Sequence, residues 1–224
     1  MKKDITIIGG AGPEAGILLA KLVVAICQKK YGCKRDADFP YLVLLSFPFS
    51  EMLKHEGEKK ENVSKELETL LQNECAFAQC WAMACQTLHS YLPQKLPSTF
   101  INMLEESARR VTQKPVVFCS STSKKYQIHK TYFDCDYPCN KEQKQLDTLI
   151  DELVANEPSL SIFNRFMTIT ELFKNREIIL GCTEFSLLHH YFPLPASCID
   201  PMQITAEKIC LSHFKKINQV LKNS

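Results

Sequence analysis

The sequence contains no uninterrupted apolar stretch long enough to cross a bilayer. Nor are its first residues expected to serve as a secretory leader. The apolar run from Ile5 to Ile8 stops at Gly9-Gly10, and Pro13, Glu14 and Lys21 interrupt the residues after it. Charge of one sign is also missing: 27 Lys and Arg nearly balance 25 Asp and Glu, for a net charge of +2. No global field therefore draws the chain to nucleic acid or to an anionic membrane. No basic stripe is interleaved with aromatic residues, which speaks against nucleic-acid binding in the same way. A C-x-x-C pair is absent, as is any paired zinc-ligand spacing. That removes the usual thiol redox motif and the commonest structural metal site. Glycine is scarce, at seven residues in the whole chain.

Cysteine is plentiful by contrast. There are eleven, an odd number at irregular spacing, and Cys27, Cys80, Cys119 and Cys210 lie inside apolar runs. This usage fits reduced thiols serving as small core residues rather than a disulfide framework. The expectation is a soluble, cytoplasmic protein.

Apolar runs alternate with amphipathic stretches almost to the end of the chain. Strands are predicted at Ile5–Ile8, Tyr41–Leu45, Cys80–Ala84, Phe100–Ile101, Pro115–Cys119 and Glu177–Leu180. Helices are predicted near 14–29, 50–72, 105–112, 124–133, 141–155, 161–173 and 202–221. The alternation argues for an α/β fold of two similar domains, each a mainly parallel sheet flanked by helices. The pattern restarts at Pro115, so one domain is expected to hold residues 1–112 plus a closing helix from 205–224, and the other residues 113–204.

Five of the seven glycines (Gly9, Gly10, Gly12, Gly16 and Gly181) fall in two loops. Glycine is required where φ is positive or backbones approach closely, so these loops mark unusual backbone. The first, Gly9-Gly10-Ala11-Gly12-Pro13-Glu14-Ala15, superficially matches a dinucleotide fingerprint. Pro13 removes an N–H from the turn that would hold a pyrophosphate, and Glu14 places a negative charge there. The loop reads instead as a tight strand-to-helix turn with Pro at the helix start.

Two cysteines share a setting. Cys85 follows Trp81-Ala82-Met83-Ala84 and precedes Gln86-Thr87-Leu88-His89; Cys182 follows Ile178-Ile179-Leu180-Gly181 and precedes Thr183-Glu184. Each thiol ends an apolar strand and begins a helix-like segment, a position expected to favour the thiolate. Thr87 and Thr183 offer hydroxyls beside free backbone N–H groups, which together suit a substrate carboxylate. Residue chemistry leaves two readings open, a two-thiol active site or a pair of buried structural thiols. His89, four residues after Cys85, reads as packing, and Asp200-Pro201 as a strand end and helix start. Cys135-x-x-x-Cys139, His189-His190 and Cys75, Cys80 and Cys85 do not form a convincing metal set.

These segments resemble the aspartate/glutamate racemase family across nearly the whole chain. Gly9-Gly10-Ala11-Gly12-Pro13-Glu14-Ala15 is similar to the family's opening turn, and Gly181-Cys182-Thr183-Glu184 with Leu187-Leu188 to its second cysteine motif. Cys85-Gln86-Thr87-Leu88-His89 is similar to the first motif, usually C-N-T-x-H. Met103-Leu104-Glu105, Ile199-Asp200-Pro201 and the stretch Ser46 to Glu51 also fall where the family has comparable segments. The sequence departs from the family at Gln86 for Asn and at Gly16 for Thr. The loop Ser120-Ser121-Thr122-Ser123 lacks a glycine, and Met52 or Leu53 stands where some members carry Arg.

The resemblance implies an active site in the cleft between the domains. It implies racemisation of aspartate or glutamate, with Cys85 and Cys182 as the two proton-transferring residues. Substrate contacts would come from Gly12, Gln86, Thr87, Ser123 and Thr183, with no pyridoxal phosphate, other cofactor or metal, and the implied assembly is a homodimer. A related isomerase such as a hydantoin racemase, or a degenerate member that only binds an amino acid or a partner protein, would show much the same motifs.

Overall fold

A computed structural model describes residues 3–49, 58–75 and 77–222. The first half begins with β1 (Lys3–Gly9), whose apolar residues Ile5, Ile7 and Ile8 are fully buried. α1 (Pro13–Tyr31) follows, started by Pro13, with Glu14 in its first turn and Lys29 and Lys30 in its last, each complementing the helix dipole. Then come β2 (Leu42–Ser46), α2 (Glu58–Leu70), a π-helical turn at Leu71–Cys75, and β3 (Ala78–Met83). α3 (Met103–Ala108) is capped by the Asn102 side chain, which accepts from the N–H groups of Leu104 and Glu105.

The second half contains β4 (Val116–Phe118), α4 (Ser121–Lys125), α5 (Asn140–Ala155), α6 (Leu160–Glu171) and β5 (Ile178–Leu180). It closes with α7 (Thr183–Tyr191), β6 (Cys198–Ile199) and α8 (Pro201–Lys222). α8 packs against the first sheet's core, where Met202, Ala206, Ile209 and Cys210 join Leu19, Val23 and Cys27 of α1. The second core gathers Val116, Phe118, Leu146, Phe166, Ile178 and Phe185.

Two predicted elements take a different form. The strand at Phe100–Ile101 is a single parallel bridge from Phe100 to Trp81, held by the Trp81 N–H to the Thr99 carbonyl and the Ile101 N–H to the Trp81 carbonyl, with the two rings in tilted contact. The helix expected over 124–133 is split into α4 and a 3₁₀ turn at Ile128–Thr131, because Gln127 takes a left-handed conformation with φ of 51°. The start of the helix expected from residue 50 lies outside the described residues. None of the helices among the described residues is long and apolar enough to cross a membrane.

All strand pairings are parallel, in the orders β2-β1-β3 and β4-β5-β6. The bridge at Phe100 adds a fourth position beside β3, and a bridge from Val116 to Asp136 adds one beside β4. With these included, each half runs second, first, third, fourth in its own chain order. The two sheets therefore have the same topology, and in each the chain reverses its direction of travel between the first and third strands. In open α/β sheets a ligand crevice forms outside the carboxyl ends of the strands at such a switch point.

Candidate active site

The two switch points open on one cavity of about 200 Å³. Its frame repeats in both halves. Ala11 and Ser120 each sit two residues past the end of a first strand, and Cys85 and Cys182 each sit two residues past a third. Gly12, Gln86, Thr87, Gly181, Thr183 and Glu184 complete the strand-end lining, with Phe49 beyond β2 and Ile150 and Val154 on α5. The two cysteines placed together by motif are thus together in space.

Cys182 is the residue before α7, and its Sγ–H donates to Glu184 Oε2 at 2.8 Å. Thr183 Oγ1 donates to the same oxygen at 3.4 Å. Glu184 is itself buried, and its other oxygen faces Gly12: a Cβ there would lie 2.5 Å from Oε1. Gly12 has φ of 79°, so glycine at this position serves both the turn and the carboxylate. Gly181 is needed for a different reason. A Cβ would lie 2.4 Å from Val117 Cγ1 and 2.9 Å from the Phe118 carbonyl oxygen, so only glycine lets β5 pass β4 here.

Neither thiol is a resting thiolate, contrary to the expectation from strand ends and helix starts. Burial pushes Cys85 from the ordinary thiol value of 9.0 up to about 12, and the charge of Glu184 adds to the rise. The N–H groups of Leu88 and Thr87 and the Thr87 hydroxyl pull the other way. The net penalty on the Cys85 thiolate is about 4 kcal/mol. A helix terminus offers about 0.3–1 kcal/mol, so desolvation wins. Burial also raises Cys182, followed by the Glu184 charge and the hydrogen bond to it.

Gln86 lines the cavity, and both ends of its amide are engaged in joining the halves. Nε2 donates to the Leu180 carbonyl at 2.7 Å, and Oε1 accepts from His129 Nε2 at 2.9 Å. That assignment leaves His129 Nδ1 to accept from the Tyr137 hydroxyl at 3.5 Å. The His129 imidazole is neutral, burial driving its pKa down to about 3. Thr87 is tied across the same seam, its Oγ1 3.0 Å from Ser123 Oγ. Ser123 does not line the cavity; it lies behind Thr87 and accepts from Ser120, which does. His89 donates Nδ1–H to the Cys85 carbonyl at 3.0 Å, and burial lowers its pKa to about 4. Asp200 accepts from the N–H of Met202 and the hydroxyl of Ser186, a helix-start role.

Sequence reasoning missed Glu184 as a working group, although a carboxylate two residues after a cysteine in a helix's first turn is a legible signal. Ile150 and Val154 were not separable from the core face of α5. His129 carried no signal at all. Among the described residues no group of three or more His, Cys, Asp or Glu side chains is placed to hold a metal ion.

No family model matches the sequence. The chain is 24% identical over 110 residues to the broad specificity amino-acid racemase RacX of Bacillus subtilis, a match spanning 48% of each protein. It therefore spans about half the length of that relative. Among solved structures, the aspartate racemase of Picrophilus torridus superposes with a TM-score of 0.70 at 16% identity, covering 95% of this chain and 94% of that one. An aspartate racemase homologue from Pyrococcus horikoshii gives 0.68 at 21% identity over 96% and 100%. This is the aspartate/glutamate racemase fold. A glutamate racemase from Thermus thermophilus is more distant within it, at a TM-score of 0.54 and 17% identity, covering 96% of this chain and 82% of the other. In the racemase fold, as elsewhere, chemistry is argued from the site rather than from the scaffold.

Proposed function

We propose that this protein is a cofactor-independent amino-acid racemase in which Cys85 and Cys182 exchange a proton at the substrate's α-carbon. The observation that carries the reading is the repeated frame. Equivalent thiols from two topologically identical halves line one small cavity, and one of them is hydrogen-bonded to a buried carboxylate.

The electrostatics suggest how the resting thiols become active. The charge of Glu184 disfavours a thiolate at Cys182. A bound amino acid brings an α-ammonium, and pairing it with Glu184 cancels that field, so the thiol ionises more readily once substrate is present. The substrate carboxylate is received at the start of α7, where the helix dipole favours an anion. A thiolate then removes the α-proton, leaving the electron pair on carbon and in the adjacent carboxylate. The helix dipole stabilises the added charge. The opposite thiol delivers its proton to the other face, so one proton is taken and one is given. The pair of cysteines exchanges protonation states, and a return proton transfer resets it.

The test is proton NMR of the reduced protein with candidate amino acids in D₂O. Loss of the α-proton signal in the wild type, abolished in both Cys85→Ala and Cys182→Ala, is the expected result. Normal exchange in either variant rules the two-thiol mechanism out.

A further inference from the structure

We infer, building on the racemase reading above, that the substrate carries a neutral, mainly apolar side chain rather than a second carboxylate. Among the described residues that line the cavity, Glu184 is the sole charged one, and no Lys, Arg or His is present. Its carboxylate lies 2.8 Å from the reacting sulfur of Cys182, at the centre where the α-carbon must sit. The group that reaches Glu184 is therefore the α-ammonium, one bond from that carbon.

The remaining polar side chains of the lining already have partners within the protein, Ser120 in Ser123 and Thr183 in Glu184. Both ends of the Gln86 amide are engaged by Leu180 and His129, and Thr87 is paired with Ser123. What is left for the side chain is the wall made by Phe49, Ile150 and Val154. Ile150 and Val154 are four residues apart on α5 and share one face. Ile150 is 5% exposed and Val154 57%, so the apolar wall runs from the interior to the mouth. Among the described residues a distal carboxylate on this wall would lose water without gaining a cation, and would sit in the repulsive field of Glu184. A neutral side chain loses nothing there and removes apolar surface from water.

The experiment measures first-order α-proton loss in D₂O at equal, sub-saturating concentrations of L-leucine, L-methionine, L-lysine, L-aspartate and L-glutamate. Leucine and methionine are expected to exchange at least about tenfold faster than aspartate and glutamate. Val154→Lys, at a position exposed enough to accept the change, is expected to shift that ratio toward the two acids. Aspartate, glutamate or lysine exchanging as fast as the neutral pair in a thiol-dependent way overturns this inference and leaves the racemase reading standing. Absence of exchange with all five overturns both.

Discussion

Acidification should unfold this protein through two buried imidazoles, and His129 provides the cleanest way to measure it. His129 and His89 have folded pKa values of about 3 and about 4, against an ordinary value of 6.5, because burial disfavours their charged forms. Both folded values lie below the unfolded one, so the unfolded chain takes up protons first. The stability they contribute is fully present above about pH 6.5 and is lost as pH falls toward the folded values. Each imidazole removes about 1.4 kcal/mol per pH unit across that window, or about 3 kcal/mol by pH 4. Together they approach the whole stability of a typical domain, about 5–15 kcal/mol. Other groups also titrate in this range, so the difference between two proteins is the informative quantity. His129→Gln keeps an N–H donor for Gln86 and removes one titrating group. Urea unfolding of both proteins at pH 8, 6, 5 and 4.5, followed by circular dichroism, should show a shallower loss in the variant by about one proton's slope. Parallel losses would refute the assignment of a neutral, proton-excluding His129. Because His129 holds Gln86 across the seam between the halves, loss of activity should accompany its protonation.

At high pH the thiols act in the opposite sense. Burial raises Cys75, Cys80 and Cys85 from 9.0 to about 12, so their contribution is intact below pH 9 and is lost as pH climbs toward 12. Stability should fall by about 1.4 kcal/mol per pH unit for each thiol, while exchange per folded molecule rises, a divergence that thermal melts and NMR rates measured together will show. Gly12→Ala places a Cβ against Glu184 in a left-handed turn, at a backbone cost of about 1–2 kcal/mol. Its exchange rate should fall further than its melting temperature accounts for, since Glu184 must move away from Cys182. Gly181→Ala forces β5 away from β4 and should destabilise by about 1–3 kcal/mol, read as a drop of several degrees in melting temperature.

Strand and helix identities were legible because local rules agree with the global fold. The run at Ile5–Ile8 is a buried strand, and Pro13-Glu14 starts a helix, since each choice depends on a few neighbouring residues. The pairing of Cys85 with Cys182 was legible from repeated context, because the same strand-loop-helix unit occurs twice. The ionisation states were not. A helix start favours a thiolate by a small amount that sequence displays, whereas desolvation is larger and depends on what the rest of the chain stacks over the sulfur. The Gln86–His129 clamp was equally hidden, because its partners are 43 residues apart and meet only when the halves close. Sequence alone determined that two thiols end two strands and each precedes a helix start, since that is a matter of residue type and local pattern. Only tertiary structure decided that a buried carboxylate sits beside one of them and an apolar wall faces both, because charge burial and cavity shape are properties of packed surfaces rather than of neighbours in the chain.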